Sequence, residues 1–152
     1  MTPENPYLED QSVATMAKDH FHETVKLALE KDGWTVTEDF FELKVGKTRY
    51  SVDLAAEKLL VAERETEKIL VEVKSFLAPS LAHEYHAVVG QYRNYRLMIE
   101  LKQLDRELFL AVPADIYDEF FTEPFGQASI KAESLKLIVF NPNDSSITQW
   151  IK

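Results

Sequence analysis

Two charged residues in an apolar stretch are the first candidates for chemistry in this sequence. Glu72 and Lys74 stand two apart in the run from Lys68 to Phe76, whose alternating pattern predicts a β-strand. Residues two apart on a strand share a face, so both side chains project to the same side of the sheet. Charges on an internal strand are costly unless they are paired, bind a metal or lie at an exposed strand end.

A second carboxylate, Asp53, lies on a neighbouring predicted strand from Thr48 to Leu54. Two carboxylates that converge from adjacent strands can hold one divalent cation through oxygen ligands. Mg²⁺ suits such a site because it keeps several waters and uses one or two carboxylates, and Mn²⁺ is the alternative. The cation would lower the pKa of a bound water and offset charge on a phosphate. Lys74 would activate the water or stabilise the developing charge.

The same spacing also fits a structural pair. Glu72 and Lys74 could line a solvated sheet face opposite the core, as polar residues do in many antiparallel sheets. An E-x-K triplet is a weak motif, and the spacing alone favours the structural interpretation over a metal site.

A long predicted helix contributes the next candidates. Ser80 is suited to cap a helix that runs to about Lys102. On it, Gln91 and Tyr95 are four residues apart and share a face within an apolar stripe. Gln91 could face a site and bind a metal-bound water or a phosphate. The alternative, which the residues alone favour, is a hydrogen-bonded core glutamine.

The histidines give weaker signals. His83 and His86 lie three apart on one helix face, but no third ligand for a transition metal is evident. His22 lies at the edge of the apolar face of the first predicted helix, residues 17–31. It could face the same cleft as the carboxylates, although a half-buried structural histidine is the default interpretation.

Composition limits the function classes. The 152 residues predict one domain, from residue 16 to 152, after a flexible extension of residues 1–15. The absence of cysteine excludes disulfides, thiol catalysis and cysteine-bound metals. A net charge of −9 weighs against a dedicated nucleic-acid binder, whose footprint is usually basic. No membrane-spanning run or signal peptide is evident, so we expect a cytoplasmic protein with no membrane association.

The order of predicted elements indicates an α/β fold with a mixed sheet flanked by helices. A helix is followed by several strands, a long helix, a strand, a helix and a final pair of strands. Beyond those already given, the predicted strands are Trp34 to Glu38, Phe40 to Val45, Lys58 to Glu65, Leu108 to Val112, Leu135 to Phe140 and one ending near Ile151; the predicted short helices are Asp115 to Phe121 and one after Pro124.

Taken together, these pieces resemble the PD-(D/E)xK nuclease superfamily and its restriction-endonuclease-like fold. In that superfamily the Asp and Glu bind magnesium and the Lys assists hydrolysis of a phosphodiester, which implies these roles for Asp53, Glu72 and Lys74. The segment Gln91-x-x-x-Tyr95 resembles the Q-x-x-x-Y helix element of some branches.

Two positions depart from that pattern. Val52 stands where the motif has proline, a common variation. Many relatives carry a glutamate on the first helix, where His22 aligns in this sequence and Glu23 is next to it.

A closer resemblance, from Met16 to Ile151, is to the XisH family of fdxN element excision controlling factors, which is found mainly in cyanobacteria. It implies a role in excision of a DNA element by a site-specific recombinase, with a small partner protein, XisI. The segments that carry it are Ala17-Lys18-Asp19, Phe21-His22, Lys31-Asp32-Gly33-Trp34, Val52-Asp53-Leu54, Ala56-Glu57-Lys58-Leu59, Val71-Glu72-Val73-Lys74-Ser75-Phe76, Gly90-Gln91-Tyr92, Ala111-Val112-Pro113 and Leu137-Ile138-Val139-Phe140-Asn141-Pro142.

The sequence therefore predicts a Mg²⁺-dependent endonuclease-like protein that hydrolyses DNA phosphodiesters. The alternative is a non-catalytic recombination accessory that acts through a XisI-like partner. A homodimer is plausible by analogy with other nuclease-fold proteins. Phe120, Phe121 and Phe125 could serve its interface, although core packing is the simpler use of these side chains.

Overall fold

A six-stranded mixed β-sheet with helices on both faces forms the framework of the protein. The structure, a computed structural model, describes residues 21–41, 43–45, 48–49, 59–77 and 80–152. In chain order its elements are α1 (helical residues 21–31), β1 (Thr35–Phe41), β2 (Lys44–Val45), β3 (Thr48–Arg49), β4 (Leu59–Arg64), β5 (Glu67–Val73), α2 (Leu81–Leu101), β6 (Glu107–Pro113), α3 (Ala114–Ile116), a π-helical turn (Tyr117–Phe121), α4 (Pro124–Glu133), β7 (Leu137–Asn141) and β8 (Ser146–Ile151).

The strand order places β5 and β6 at the centre of the sheet. The order is β1-β4-β5-β6-β7-β8, and β2 with β3 forms a separate two-stranded pair. Neighbours β5, β6 and β7 run parallel, whereas the outer pairings are antiparallel. Parallel neighbours need crossover connections; α2 links β5 to β6, and α3, the π-helical turn and α4 link β6 to β7.

Alternation along the central strands builds one core on each face of the sheet. On β5, Leu70 packs with the residues of α2, while Ile69 and Val71 pack with those of α1. On β6, Leu110 likewise packs on the α2 side and Phe109 on the α1 side. Because successive side chains on a strand point to opposite faces, a period of two in the sequence becomes two apolar layers.

The predicted α/β class with a mixed sheet flanked by helices is confirmed, and the arrangement is consistent with a restriction-endonuclease-like fold. The helix from Ser80 is confirmed as well, since the Ser80 side chain accepts a hydrogen bond from the His83 N–H. None of the described helices is both long and apolar enough to cross a membrane. The predicted extension, residues 1–15, lies outside the described residues.

One predicted boundary is wrong. Two separate strands, Trp34 to Glu38 and Phe40 to Val45, were expected, but β1 continues from Thr35 to Phe41, with an irregular register between Glu38 and Phe41. The Asp39 carboxylate pairs with Lys26 of α1 at 2.9 Å. The predicted helix from Asp115 to Phe121 is confirmed as a helical segment, which is α-helical to Ile116 and π-helical from Tyr117 to Phe121.

The π-helical turn packs closely against α4. A Cβ atom on Gly126 of α4 would lie 2.2 Å from the Phe120 carbonyl oxygen, so the backbone of the turn and α4 approach closely. The wider π-helical turn is closed by the Thr122 N–H, which donates to the Tyr117 carbonyl at 3.2 Å.

Candidate functional site

The end of β5 carries two buried charged side chains on the face covered by α2. Glu72 is 1% exposed and Lys74 is 7% exposed. The ammonium nitrogen of Lys74 lies 3.3 Å from Glu72 Oε1. The backbone N–H of Lys74 donates to the Ala111 carbonyl of β6 at 3.0 Å, so the chain is still held in the ladder at this point. The interpretation as a solvated sheet face is therefore wrong for these two residues.

Helix α2 adds a polar partner to the pair. Gln91 is half-buried, and its Oε1 accepts a hydrogen bond of 2.6 Å from Lys74 Nζ. This contact explains a glutamine on the inner side of an otherwise apolar helix face, where the buried neighbours are Val88 and Tyr95. The structure thus brings Glu72, Lys74 and Gln91 together.

Electrostatics make this arrangement costly as a purely structural device. Removing two charges from water costs several kcal/mol per ion, and their attraction offsets this only with good geometry and additional hydrogen bonds. Lys74 has both, through Glu72 and Gln91. The result is an ammonium group held in a fixed position within a region of low dielectric, where it acts strongly on any nearby negative charge.

Among the predicted metal ligands, the structure describes only Glu72. Glu72 supplies the carboxylate oxygens that Mg²⁺ prefers, and a site with one or two carboxylates suffices for this cation. The second predicted ligand, Asp53, lies outside the described residues. Within the part of the chain that the structure describes, no group of three His, Cys, Asp or Glu side chains is placed to hold a metal. The predicted metal site stays a prediction.

The other predicted candidates occupy three different settings. Tyr95 is buried in the apolar core beneath α2. His22 is half-buried and Glu23 is exposed, and α1 packs on the sheet face opposite to α2. His83 and His86 are exposed on α2 and belong to no metal-binding cluster among the described residues.

Sequence reasoning did not single out two further features, one on α2 and one in the segment after β5. Glu84 is half-buried and lies seven residues before Gln91, which is a spacing that places both on one side of α2. The heptad spacing was a signal that would have identified it. Phe76 follows Lys74 by two residues and adopts a φ of 54°, in the left-handed region that is unfavourable for a bulky residue.

The strained Phe76 is held by aromatic packing. Its ring is buried and meets Phe121 edge to face, with centroids 6.2 Å apart. Backbone strain of this kind persists only where the surroundings over-determine it, and such residues cluster at functional sites. No local sequence pattern predicts a phenylalanine with a positive φ angle at this position.

Comparisons with known proteins agree with one another. The family model described as "XisH protein" matches residues 15–148. A crystal structure of an XisH family protein from Nostoc punctiforme PCC 73102 shares 42% identity and a TM-score of 0.79, covering 88% of this chain and 99% of that one. A crystal structure of a fdxN element excision controlling factor protein from Anabaena variabilis shares 41% identity and a TM-score of 0.80, with the same coverage. No curated protein matches the chain. The extent of the family match and the identity to both structures show that this chain belongs to the XisH family.

Proposed function

We propose that this protein takes part in controlling the excision of a DNA element, as a Mg²⁺-dependent endonuclease of the PD-(D/E)xK type that hydrolyses DNA phosphodiesters. The observation that carries the proposal is the position of Lys74 Nζ, between Glu72 Oε1 at 3.3 Å and Gln91 Oε1 at 2.6 Å. The description of the Anabaena relative as a fdxN element excision controlling factor protein supports the role in excision control.

Two carboxylates would hold the metal. Glu72, at the end of β5, would be one of these ligands, and its position is described by the structure. Asp53 would be the second, as the resemblance to the PD-(D/E)xK superfamily implies. When bound, Mg²⁺ supplies a more acidic water and offsets charge on the phosphate. Mn²⁺ suits the same oxygen donors.

Lys74 and Gln91 have separate roles in this proposal. The ammonium group of Lys74 donates a hydrogen bond to a phosphate oxygen and stabilises the charge that develops there. Gln91 Oε1 accepts from the same nitrogen and so orients it. Gln91 also retains its amide N–H₂ group, which donates to a water or a phosphate oxygen.

The decisive experiment compares cleavage of supercoiled, linear, single-stranded and branched DNA with Mg²⁺ or Mn²⁺. Lys74→Met and Glu72→Gln are each expected to lower the cleavage rate by about a hundredfold or more, the usual range for groups of this kind. Lys102→Met, at an exposed lysine after α2, is the matched control and should cleave normally. Folding of each variant is verified by circular dichroism. Cleavage that persists in both site variants refutes the proposal.

A second function is favoured by one observation, the net charge of −9. In it the chain is a non-catalytic accessory that acts through a small XisI-like protein or the recombinase. Co-purification with the co-expressed partner, unchanged in Lys74→Met and accompanied by no cleavage of any DNA, would establish this alternative. DNA affinity that falls steeply with added salt would instead indicate phosphate contacts and favour the endonuclease.

Self-association is part of the proposal as well. Phe121 is fully buried and serves the core, whereas Phe125 is 63% exposed and is available for an interface between two copies. Sedimentation velocity of the wild type and of Phe125→Ser tests whether a homodimer forms through this side chain.

A further inference from the structure

A cleft lies at the opposite end of the sheet from Glu72 and Lys74. It has a volume of about 410 Å³ and opens beside the first residues of β5 and β6 and the last residues of β8. We call it the tryptophan cleft; its lining includes Trp34, Ile69, Arg106, Phe109, Trp150 and Lys152. Pockets of this size commonly take a small organic ligand.

Aromatic rings form one wall of the tryptophan cleft. The rings of Trp34 and Trp150 stack with centroids 5.6 Å apart and an interplanar angle of 29°. Phe109 meets Trp150 edge to face at 5.2 Å. Trp34 is only 4% exposed, and the Arg64 guanidinium lies 4.5 Å from its ring centroid. Trp150 is half-buried, so the π surface that this wall offers to a planar ligand belongs to Trp150.

The same lining also contains buried donor groups that need a hydrogen-bond acceptor. The indole N–H of Trp34 and one terminal nitrogen of Arg106, Nη1, are buried and have no acceptor among the residues that the structure describes. A buried donor without a partner costs about 1–3 kcal/mol. The other terminal nitrogen of Arg106 donates to Glu63 at 2.7 Å, which holds the guanidinium at the cleft.

These features together specify the chemistry of a ligand. A cleft of about 410 Å³ is larger than a bare phosphate or carboxylate needs, and the aromatic wall favours a planar ring. Among the charged residues of the lining, Lys68 and Lys152 stand with Arg106 against the acidic Glu67, Asp105 and Glu107. The unpaired guanidinium nitrogen of Arg106 therefore decides the preference, which is for an oxyanion on the same molecule. A planar ring that carries an oxyanion is the chemistry of a nucleotide.

We propose that the tryptophan cleft binds one nucleotide, with its base against the exposed part of Trp150 and its phosphate on Arg106. The nucleotide is either free or at the end of a DNA strand. Arg106 lines the cleft and its side chain is 22% exposed, so its guanidinium group is within reach of a ligand there. Lys74 directly follows β5 and is five residues from Ile69, about 16 Å at the rise of a strand, and the two side chains face opposite sides of the sheet. This site is therefore independent of the proposed nuclease function.

Intrinsic fluorescence reads the tryptophan cleft directly, because Trp34 and Trp150 are the only two tryptophans in the chain. The full-length protein is titrated with dAMP in the presence of EDTA, which removes any contribution from a metal site. A saturable change in tryptophan emission is expected. In Arg106→Gln the affinity should fall about tenfold or more, as for loss of a charge-assisted hydrogen bond. Arg93→Gln, an exposed arginine paired with Glu133, is the matched control and should bind as the wild type does.

Two further arms make the result decisive. A short oligodeoxyadenylate that binds more tightly than dAMP assigns the cleft to a strand end, and the reverse assigns it to a free nucleotide. Should Arg106→Gln fail to fold, Trp150→Phe takes its place, since Trp34 still reports and weaker binding is expected. The proposal is overturned by an absence of saturable change with both probes at millimolar concentration. It is equally overturned by unchanged affinity in the folded variant, or by inorganic phosphate binding as tightly as dAMP.

Discussion

Lys74 Nζ lies 2.6 Å from Gln91 Oε1, and this hydrogen bond joins the end of β5 to the middle of α2. Apolar packing supplies most of the contact between the helix and the sheet, but it is non-directional. The hydrogen bond is directional, so it fixes where Lys74 sits relative to the helix.

The first prediction concerns the stability that this bond provides. Gln91→Ala should lower the free energy of unfolding by about 1–3 kcal/mol, because a buried ammonium loses an acceptor. Urea unfolding measures the change. Asn94→Ala, at an exposed position one turn further along α2, is the control and should change stability by no more than about 0.5 kcal/mol. Equal effects of the two substitutions would show that the bond contributes nothing.

The second prediction concerns the buried ion pair of Glu72 and Lys74, and compares removal of one charge with removal of both. Glu72→Leu alone and Lys74→Met alone should each destabilise the protein by about 3–5 kcal/mol, because each leaves a buried charge with less compensation. The double variant should be more stable than either single variant, since both charges are gone. A double-mutant cycle in urea measures the coupling. Strictly additive effects would contradict the ion pair.

The third prediction contrasts two helical glycines. Gly126→Ala should cost about 1–3 kcal/mol, because its Cβ would lie 2.2 Å from the Phe120 carbonyl oxygen. Gly90→Ala should instead stabilise by up to about 1 kcal/mol, since alanine favours a helix and no described atom lies within 4 Å of the added Cβ. Thermal unfolding of both variants gives the signs, and destabilisation by Gly90→Ala would mean that this helix face is covered.

The fourth prediction concerns alkaline pH. Burial, with a smaller contribution from Glu133, raises the pKa of Tyr85 from 10.0 to about 12. The folded state therefore keeps a proton that the unfolded state loses, and stability falls as the pH rises from 10 to 12. Tyr85→Phe should remove the part of this loss that Tyr85 contributes, whereas Tyr92, whose pKa is also raised by burial, retains its own part.

Below pH 10, Tyr85→Phe should also stabilise the protein by about 1 kcal/mol, because the buried hydroxyl has no hydrogen-bond partner among the described residues. Urea unfolding across this pH range is the measurement, with Tyr117→Phe as the control for loss of a tyrosine. A decline in stability of the same size in wild type and Tyr85→Phe would disprove the assignment.

Local patterns sufficed to predict the central sheet. Alternation on β5 separated Ile69 and Val71 from Leu70, Glu72 and Lys74, and the structure places the two apolar sets in different cores. Such patterns work because the side-chain period of a strand is a local property. They failed at Asp39, where a salt bridge to Lys26 of another element keeps a polar residue within the strand.

Contacts between distant residues were beyond prediction. Helical spacing placed Gln91 on the inner side of α2 but did not name Lys74 as its partner. The stack of Trp34 on Trp150 joins residues near opposite ends of the chain, and the order of strands in the sheet decides it. No spacing rule relates two such residues. The strained φ of Phe76 follows from packing on Phe121 and is equally absent from local sequence.

The parallel pairing of β5, β6 and β7 has a consequence for how the protein folds. Each of these pairings closes a long stretch of chain, and such distant contacts slow folding. The β4–β5 hairpin, by contrast, is local and can form early. Lys74 and Gln91 are 17 residues apart, so their contact needs α2 docked on the sheet but not the strands that follow it. A nascent chain truncated before α2 would therefore contain Glu72 and Lys74 without an assembled site, whereas one that ends after α2 could already hold the three side chains together.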